Sequence, residues 1–447
     1  MIKKLSIYYL LFILAFSWGL LVGYKKIFPY KILRSIAQET LDFYKGEKNI
    51  KDISIVDKFK NDLGFFPSRH LVEYSFKDDD YINIELENLS SRRGSNPKLK
   101  IFFDKKDENY FDNSYLLVQG FFDFNDSLYG AILLDFNGNV INTWRHNHYE
   151  FKDKENSIEA NLSSHPIVML NDGSIIYTIH GQRYGHRIIR SSYCGDIIWT
   201  KKASYHHSLS LDRNQNIWTI DEENSFVLLD KDNGSILKEI FLKNIFEKNK
   251  DLGIFNFHIN LPGSDFMTND PFHINDVEPL NSEIESFEID DLLVSFRNSN
   301  LIFILDKDNR VKWWRAGATR RQHDPDWGEN YITIFDNGMR NNSAAAEKEL
   351  MSRIIKIDLE TLKSNVIFDG EMSSAYSVVK ANHQILDNDY ILATISMQGR
   401  VLVLDKNQNL KVEFINNYNK SFNGQIGEAA FIKNSYLNFD SKNEKCN

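Results

Sequence analysis

The chain has 447 residues, 42% hydrophobic and 13% aromatic, with 53 Lys and Arg against 62 Asp and Glu and a net charge of −9. That length allows two or three ordinary domains, or one large all-β body with an attachment. No basic cluster lies outside residues 1–35, which excludes a nucleic-acid surface. The two cysteines, Cys194 and Cys446, exclude a Cys/His zinc module, and nothing in their spacing requires them to pair.

At the N-terminus, Lys3 and Lys4 precede an uncharged run, 5-LSIYYLLFILAFSWGLLVGY-24, long enough to cross a bilayer as a helix. The expectation is an uncleaved signal-anchor over 1–28 that keeps the body outside the cytoplasm, on the periplasmic side where there is one. Lys25, Lys26, Lys31 and Arg34 follow the run, so charge bias alone leaves its orientation open. Residues 29–114 read as a mixed helical and β segment. Leu33, Ile36, Ala37, Leu41 and Tyr44 share helical spacing, and from about residue 70 the period becomes two, as in 80-DYINIELE-87 and 98-KLKIFF-103.

Over 115–435 one pattern recurs: an apolar run, an Asp, a short turn and a second apolar run. It occurs in 132-ILLDFNGNVINTW-144, 226-FVLLDKDNGSILKEI-240, 301-LIFILDKDNRVKWW-314, 353-RIIKIDLETLKSNVIF-368 and 401-VLVLDKNQNLKVEF-414. A degenerate copy, 187-RIIRSSYCGDIIW-199, has Ser191 in the aspartate place. Each copy predicts a hairpin, because Asp-x-Asn-Gly sequences supply the left-handed backbone of tight turns. A second hairpin precedes most copies, so each unit is a four-stranded sheet. Such units repeated along a chain predict an all-β, six-bladed propeller; a β-sandwich, the alternative, leaves the recurrence unexplained. Residues 436–447 are a C-terminal tail.

The sequence holds twelve histidines. His165, His207, His273 and His323 stand at one position, the start of the first hairpin of a unit. The first strand of a propeller blade lines the central channel, so these four converge on one cavity. In the fifth unit the matching stretch is 373-SSAYSVV-379, and in the sixth it lies near 423-NGQIGEAAF-431. Arg297 ends the apolar strand 292-LLVSFR-297, where burial calls for an anionic partner. His146, His148, His186, His258 and His383 fit no repeat, and His70 precedes the propeller. Imidazole and guanidinium groups without paired carboxylates suit an anionic substrate. A three-histidine metal site is the rival, opposed by the positive charge of Arg297. Asp324 is a candidate for orienting a histidine.

The set His206-His207, Asp270-Pro271-Phe272-His273-Ile274-Asn275, Leu293-Val294-Ser295-Phe296-Arg297, Gln322-His323 and Phe335-Asp336-Asn337-Gly338 resembles the aryl sulfotransferase family. The resemblance implies an exported six-bladed propeller. It would move a sulfo group from an aryl sulfate ester to a phenol, with no nucleotide sulfate donor, no cofactor and no metal. It further implies His323 as nucleophile through a sulfohistidine and His273, Asn275 and Arg297 as the groups around the sulfo oxygens and leaving phenoxide. His206 and His207 match the family's early His-His pair, and Ser377 stands near a family threonine. The other reading is a non-catalytic or metal-binding propeller that holds a small ligand in the same channel.

Overall fold

The structure is a computed structural model. It describes residues 16–18, 71–73, 81–84, 86, 99–124, 127–146, 163–180, 186–221, 225–255, 272–338, 351–418, 422–438 and 446. The chain divides into two compact units, Met1–Ser68 and Arg69–Asn447. Of the first, the described residues 16–18 are helical. The rest of the expected membrane helix and the amphipathic stretch 33–48 lie outside the described residues. Among the described residues no helix is long and apolar enough to cross a membrane.

The second unit is built of antiparallel strands in chain order. Near its start are β1 (Leu71–Glu73), β2 (Ile82–Ile84) and β3 (Leu99–Phe103), then β4 (Ser114–Phe124), β5 (Ser127–Leu134) and β6 (Val140–Arg145). Four regular sheets follow. They are β7 (Ser163–Met169) to β10 (Ile197–Lys202), β11 (Tyr205–Leu211) to β14 (Ile236–Phe241), β15 (Ile274–Pro279) to β18 (Val311–Ala316), and β19 (His323–Trp327) to β22 (Ser364–Asp369). The fifth blade is β23 (His383–Ile385), β24 (Ile391–Ile395), β25 (Arg400–Leu404) and β26 (Leu410–Ile415), extended at its outer edge by β3 and β2. The sixth closes the ring: C-terminal β28 (Ile426–Lys433) is the innermost strand of the sheet β28-β4-β5-β6, and β27 (Phe422–Gly424) pairs with β1. The six-bladed propeller expected from the repeats is present, and N-terminal strands that no repeat announced widen one blade.

The burial pattern explains the ring. Middle strands such as 292-LLVSF-296 and 301-LIFIL-305 are buried at every residue, whereas the outermost β14 exposes five of its six. Six apolar clusters fill the six spaces between neighbouring blades. Each fully buried Leu, Ile, Val or Phe there contributes roughly 1.5–3 kcal/mol relative to exposure. The hydrophobic effect is thus spent between blades, which leaves the innermost strands free to carry polar groups toward the axis.

The repeated aspartate shapes the turn between the third and fourth strands. Asp135 Oδ1 accepts from the backbone N–H of Asn137 and Asn139, and Asp306 Oδ1 from Asp308 and Arg310. Gly138 (φ 86°) and Asn309 (φ 62°) take the left-handed position that closes the hairpin. In the degenerate copy the acceptor is Ser192 and not Ser191: Asp196 N–H donates to Ser192 Oγ at 3.0 Å. Ser191, the buried last residue of the strand Arg187–Ser191, instead donates its hydroxyl to Asp196 O at 3.4 Å.

Two further expectations are revised. The innermost strand of the fifth blade is not 373–379 but β23, because Gly370–Ser373 form a helical turn that Asp369 caps through Glu371 N–H. Cys194 and Cys446 are disulfide-bonded across 252 residues. The tail returns to blade one, where Leu437 packs into the cluster shared with Tyr193 and Asn438 N–H donates to Asn171 O. That return brings the two cysteines together.

Candidate active site at the propeller axis

The innermost strands repeat one irregularity at one height. The register slips between Ser164 and Ile167 in β7, His206 and Leu209 in β11, Ile274 and Asp276 in β15, His323 and Pro325 in β19, and Ile426 and Glu428 in β28. Such bulges re-aim side chains and are frequent beside active sites. Left-handed backbone gathers at the same level: His207 (φ 66°), His273 (φ 46°), Asp324 (φ 54°), Lys380 (φ 58°) and Ala381 (φ 87°). Each such non-glycine conformation costs on the order of 1–3 kcal/mol, a cost that recurs where a site needs it.

These bends assemble an arc of imidazoles. His206 and His207 ring centres lie 4.1 Å apart, His207 and His273 4.8 Å, and His165 and His207 6.4 Å. His180 and His186 continue the arc, with Nδ1 atoms 3.3 Å apart and His180 5.9 Å from His206. His186 fits no sequence repeat yet belongs to this arc. His165, His180 and His207 are all held well below the ordinary imidazole pKa by burial first and by neighbouring histidines or Lys380 second. The Nδ1 of His165 is buried without a hydrogen-bond partner.

His323 is 5% exposed and has a determined tautomer. The Asn337 amide nitrogen donates to two carbonyls, Ser377 O at 2.7 Å and Lys380 O at 2.9 Å. The atom facing two acceptors must be nitrogen, so the other end is the carbonyl Oδ1, 2.7 Å from His323 Nδ1. Nδ1 therefore carries the proton, and Nε2 holds a lone pair, now accepting from Lys380 N–H at 3.2 Å. Burial and the Arg297 guanidinium push the His323 pKa down to about 3 against the raising effect of the Asn337 hydrogen bond. The imidazole is neutral at ordinary pH. Arg297 is 8% exposed, and its backbone N–H donates to His273 O at 3.1 Å. Asn275 Nδ2 donates to Gln322 O at 2.6 Å, while its buried Oδ1 has no hydrogen-bond partner.

Of the residues expected at the site, His165, His207, Asn275 and His323 line one cavity of about 610 Å³ on the axis. His273 and Arg297 act electrostatically on His323 without lining that cavity. Ser377 donates its hydroxyl to Val379 O at 2.8 Å and offers its carbonyl to Asn337. Asp324 does orient a histidine, but that histidine is His383: Asp324 Oδ2 accepts from its backbone N–H at 2.5 Å and lies 2.8 Å from its Nδ1. Lys380 was not signalled by any repeat. Burial brings its pKa down to about 8. Among the described residues, the one group of three whose ligating atoms fall within 4.8 Å is Asp324, Asp326 and His383, so the aligned histidines do not form a tight metal ligand set.

No curated protein matches the sequence. Among solved structures, a protein of unknown function from Bacteroides caccae is similar at 10% identity, covering 72% of this chain and 100% of that one with a TM-score of 0.46. A virginiamycin B lyase from Staphylococcus aureus is similar at 12% identity, covering 56% of this chain and 73% of that one with a TM-score of 0.32. Residues 166–417 match the family described as arylsulfotransferase (ASST). That span is more than half of the chain and contains His207, His273, Asn275, Arg297, His323 and Asn337, the residues that converge on the axis. By that match the chain belongs to the arylsulfotransferase (ASST) family.

Proposed function

We propose that this protein transfers a sulfo group from an aryl sulfate ester to a phenolic hydroxyl, with His323 Nε2 as the nucleophile. The observation that carries the reading is the fixed tautomer of His323, with Nδ1–H on Asn337 and a lone pair at Nε2 in a neutral, buried ring. A neutral imidazole is a competent nucleophile, and an imidazolium is not.

In the first half-reaction an Nε2–S bond forms as the S–O bond to the aryl group breaks. Arg297 meets the negative charge that spreads over the sulfo oxygens, and a fixed guanidinium needs little reorganisation to do so. His273 gives a proton to the departing phenoxide. The proton stays on Nδ1, donated to Asn337 Oδ1, so the sulfoimidazole ring remains cationic and its N–S bond labile. In the second half-reaction the acceptor hydroxyl attacks sulfur, His273 takes its proton back and His323 is released. The unpartnered Oδ1 of Asn275 is an acceptor, suited to an incoming hydroxyl, and the second Nδ2 hydrogen remains for a sulfo oxygen. His207, which lines the cavity, and the adjoining His206 complete the surroundings of the substrates.

We place this body outside the cytoplasm. The apolar segment 5–24 reads as a signal-anchor, and the Cys194–Cys446 disulfide suits an oxidising compartment. The test of function is incubation with 4-nitrophenyl sulfate and phenol: nitrophenol and phenyl sulfate should form in equal amounts and show ping-pong kinetics. Release that requires water alone and leaves no sulfated acceptor would count against transfer.

A further inference from the structure

Lys380 holds His323 through its backbone, and the steps of transfer leave its side chain without a task. The residue stands in the bend before β23 at φ 58°, followed by Ala381 at φ 87°. Its N–H donates to His323 Nε2 at 3.2 Å, and its carbonyl accepts from Asn337 Nδ2 at 2.9 Å. The Cα is thereby fixed beside the nucleophilic nitrogen, and the side chain starts within the site.

Three observations define the ammonium at its end. First, it is directed into the channel. After burial itself, the strongest influence holding the His165 pKa down is Lys380, ahead of His180, His323 and His206, and Lys380 acts on His180 too. His165 belongs to blade one, so the side chain carries its charge from blade five toward the histidine arc. Second, no carboxylate neutralises it. Burial lowers its pKa to about 8 with no acidic neighbour raising it again, so the group is largely protonated at pH 7. Third, the imidazoles it faces, His165, His180 and His323, are neutral and supply no opposite charge. A half-buried ammonium without a counter-charge is costly and calls for an anion. Arg297 follows the second strand of blade three and Lys380 precedes the first of blade five, so cations reach His323 of blade four from both neighbouring blades.

We propose that the Lys380 ammonium binds a sulfo oxygen of the donor ester beside His323 Nε2 and makes the site selective for an anionic group over a neutral one of the same shape. This deepens the sulfo-transfer reading and rests on it. A lysine is a compact point charge with three donors on a flexible stem, so it can follow one oxygen while sulfur moves between oxygen and nitrogen. The bond it makes is a charge-assisted hydrogen bond, among the stronger kinds available to an oxyanion. The sulfo oxygens persist through both half-reactions, from ester to sulfohistidine to new ester, and the ammonium stays with them. Lys380 forms and breaks no covalent bond.

The experiment is calorimetric titration of the full-length protein in detergent at pH 7 with two inert probes, benzenesulfonate and the nearly isosteric, uncharged benzenesulfonamide. The parent should bind the sulfonate more tightly than the sulfonamide. Lys380→Met should weaken the sulfonate by about ten-fold or more and the sulfonamide by less than about two-fold, and Lys380→Arg should keep most of the sulfonate affinity. A merely structural lysine would move both probes together. Lys380→Gln provides the same comparison should Lys380→Met not fold. Neither probe can be transferred, since the C–S bond has no leaving oxygen, so the result reads Lys380 even where another residue proves to be the nucleophile. A parent that does not prefer the sulfonate, or a folded variant in which both probes weaken equally or not at all, overturns the proposal.

Discussion

Asn337→Ala separates tautomer control from substrate contact. Asn337 is fully buried and makes three hydrogen bonds, one to His323 Nδ1 and two to the carbonyls of Ser377 and Lys380. Truncation leaves both carbonyls without that donor inside the protein. At about 1–3 kcal/mol for each stranded polar group, the fold should lose about 2–6 kcal/mol. The effect on catalysis has a different origin. Without Oδ1 the Nδ1–H tautomer loses its partner, and the single contact from Lys380 N–H at Nε2 is left to hold the ring. Loss of tautomer control in a serine-protease triad costs about 10⁴ in kcat, so a fall of about 10²–10⁴ is expected here. Because Asn337 does not reach the cavity, KM for the aryl sulfate should change by less than about three-fold, the signature of an interaction made only on the way to the transition state. Steady-state nitrophenol release over a range of 4-nitrophenyl sulfate concentrations measures both constants, and chemical denaturation measures the stability. A folded variant with kcat within three-fold of the parent would refute the tautomer argument.

Other consequences are as direct. Arg297→Leu removes a charge that holds the His323 pKa down, so the acid limb of kcat/KM should move to higher pH while the rate itself falls at least about 100-fold for want of the oxyanion partner. The stability that His323 contributes has a definite pH dependence: its folded pKa of about 3 lies below the unfolded value, so the unfolded chain binds the extra proton between those limits. That contribution is full above about pH 6.5 and is lost on acidification, by about 2 kcal/mol between pH 6.5 and 5. The stability difference between parent and His323→Gln at the two pH values measures it, and a difference independent of pH would contradict the neutral-imidazole assignment. Reduction of Cys194–Cys446, or Cys446→Ser, should lower stability by about 2–5 kcal/mol while leaving kcat within about two-fold, since the bond ties the tail to an outer hairpin.

The blade count was legible because it rests on local chemistry. Asp135, Asp306 and Asp405 each bend their own hairpin, and period-two runs declare their own strands. The four histidines were legible at one remove, since strand order alone sends the first strand of each blade to the axis. What escaped was set between blades. His323 takes its orientation from Asn337, 14 residues on, and its Nε2 contact from Lys380, 57 residues on; His383 meets Asp324 across 59. No periodicity records such pairs, because each depends on where two inner strands are bent. The fifth blade was misplaced for a related reason. Its innermost strand has three residues and lacks the register slip of the others, so Ser377 seemed to occupy a place that belongs to the residues before His383. The runs 80–87 and 98–103 declared β2 and β3 as strands but not their place in the fifth blade, because an edge strand is placed by its partner, here β26, more than 300 residues away.

The central claim is that His323 carries the sulfo group. Rapid quenching of the protein with excess 4-nitrophenyl sulfate and no acceptor, followed by peptide mass analysis under neutral conditions, tests it most directly. The account predicts a burst of one nitrophenol per active chain and a peptide heavier by one SO₃ group at His323, discharged when phenol is added. Normal turnover by His323→Ala, or a burst with the sulfo group on another residue, would contradict it.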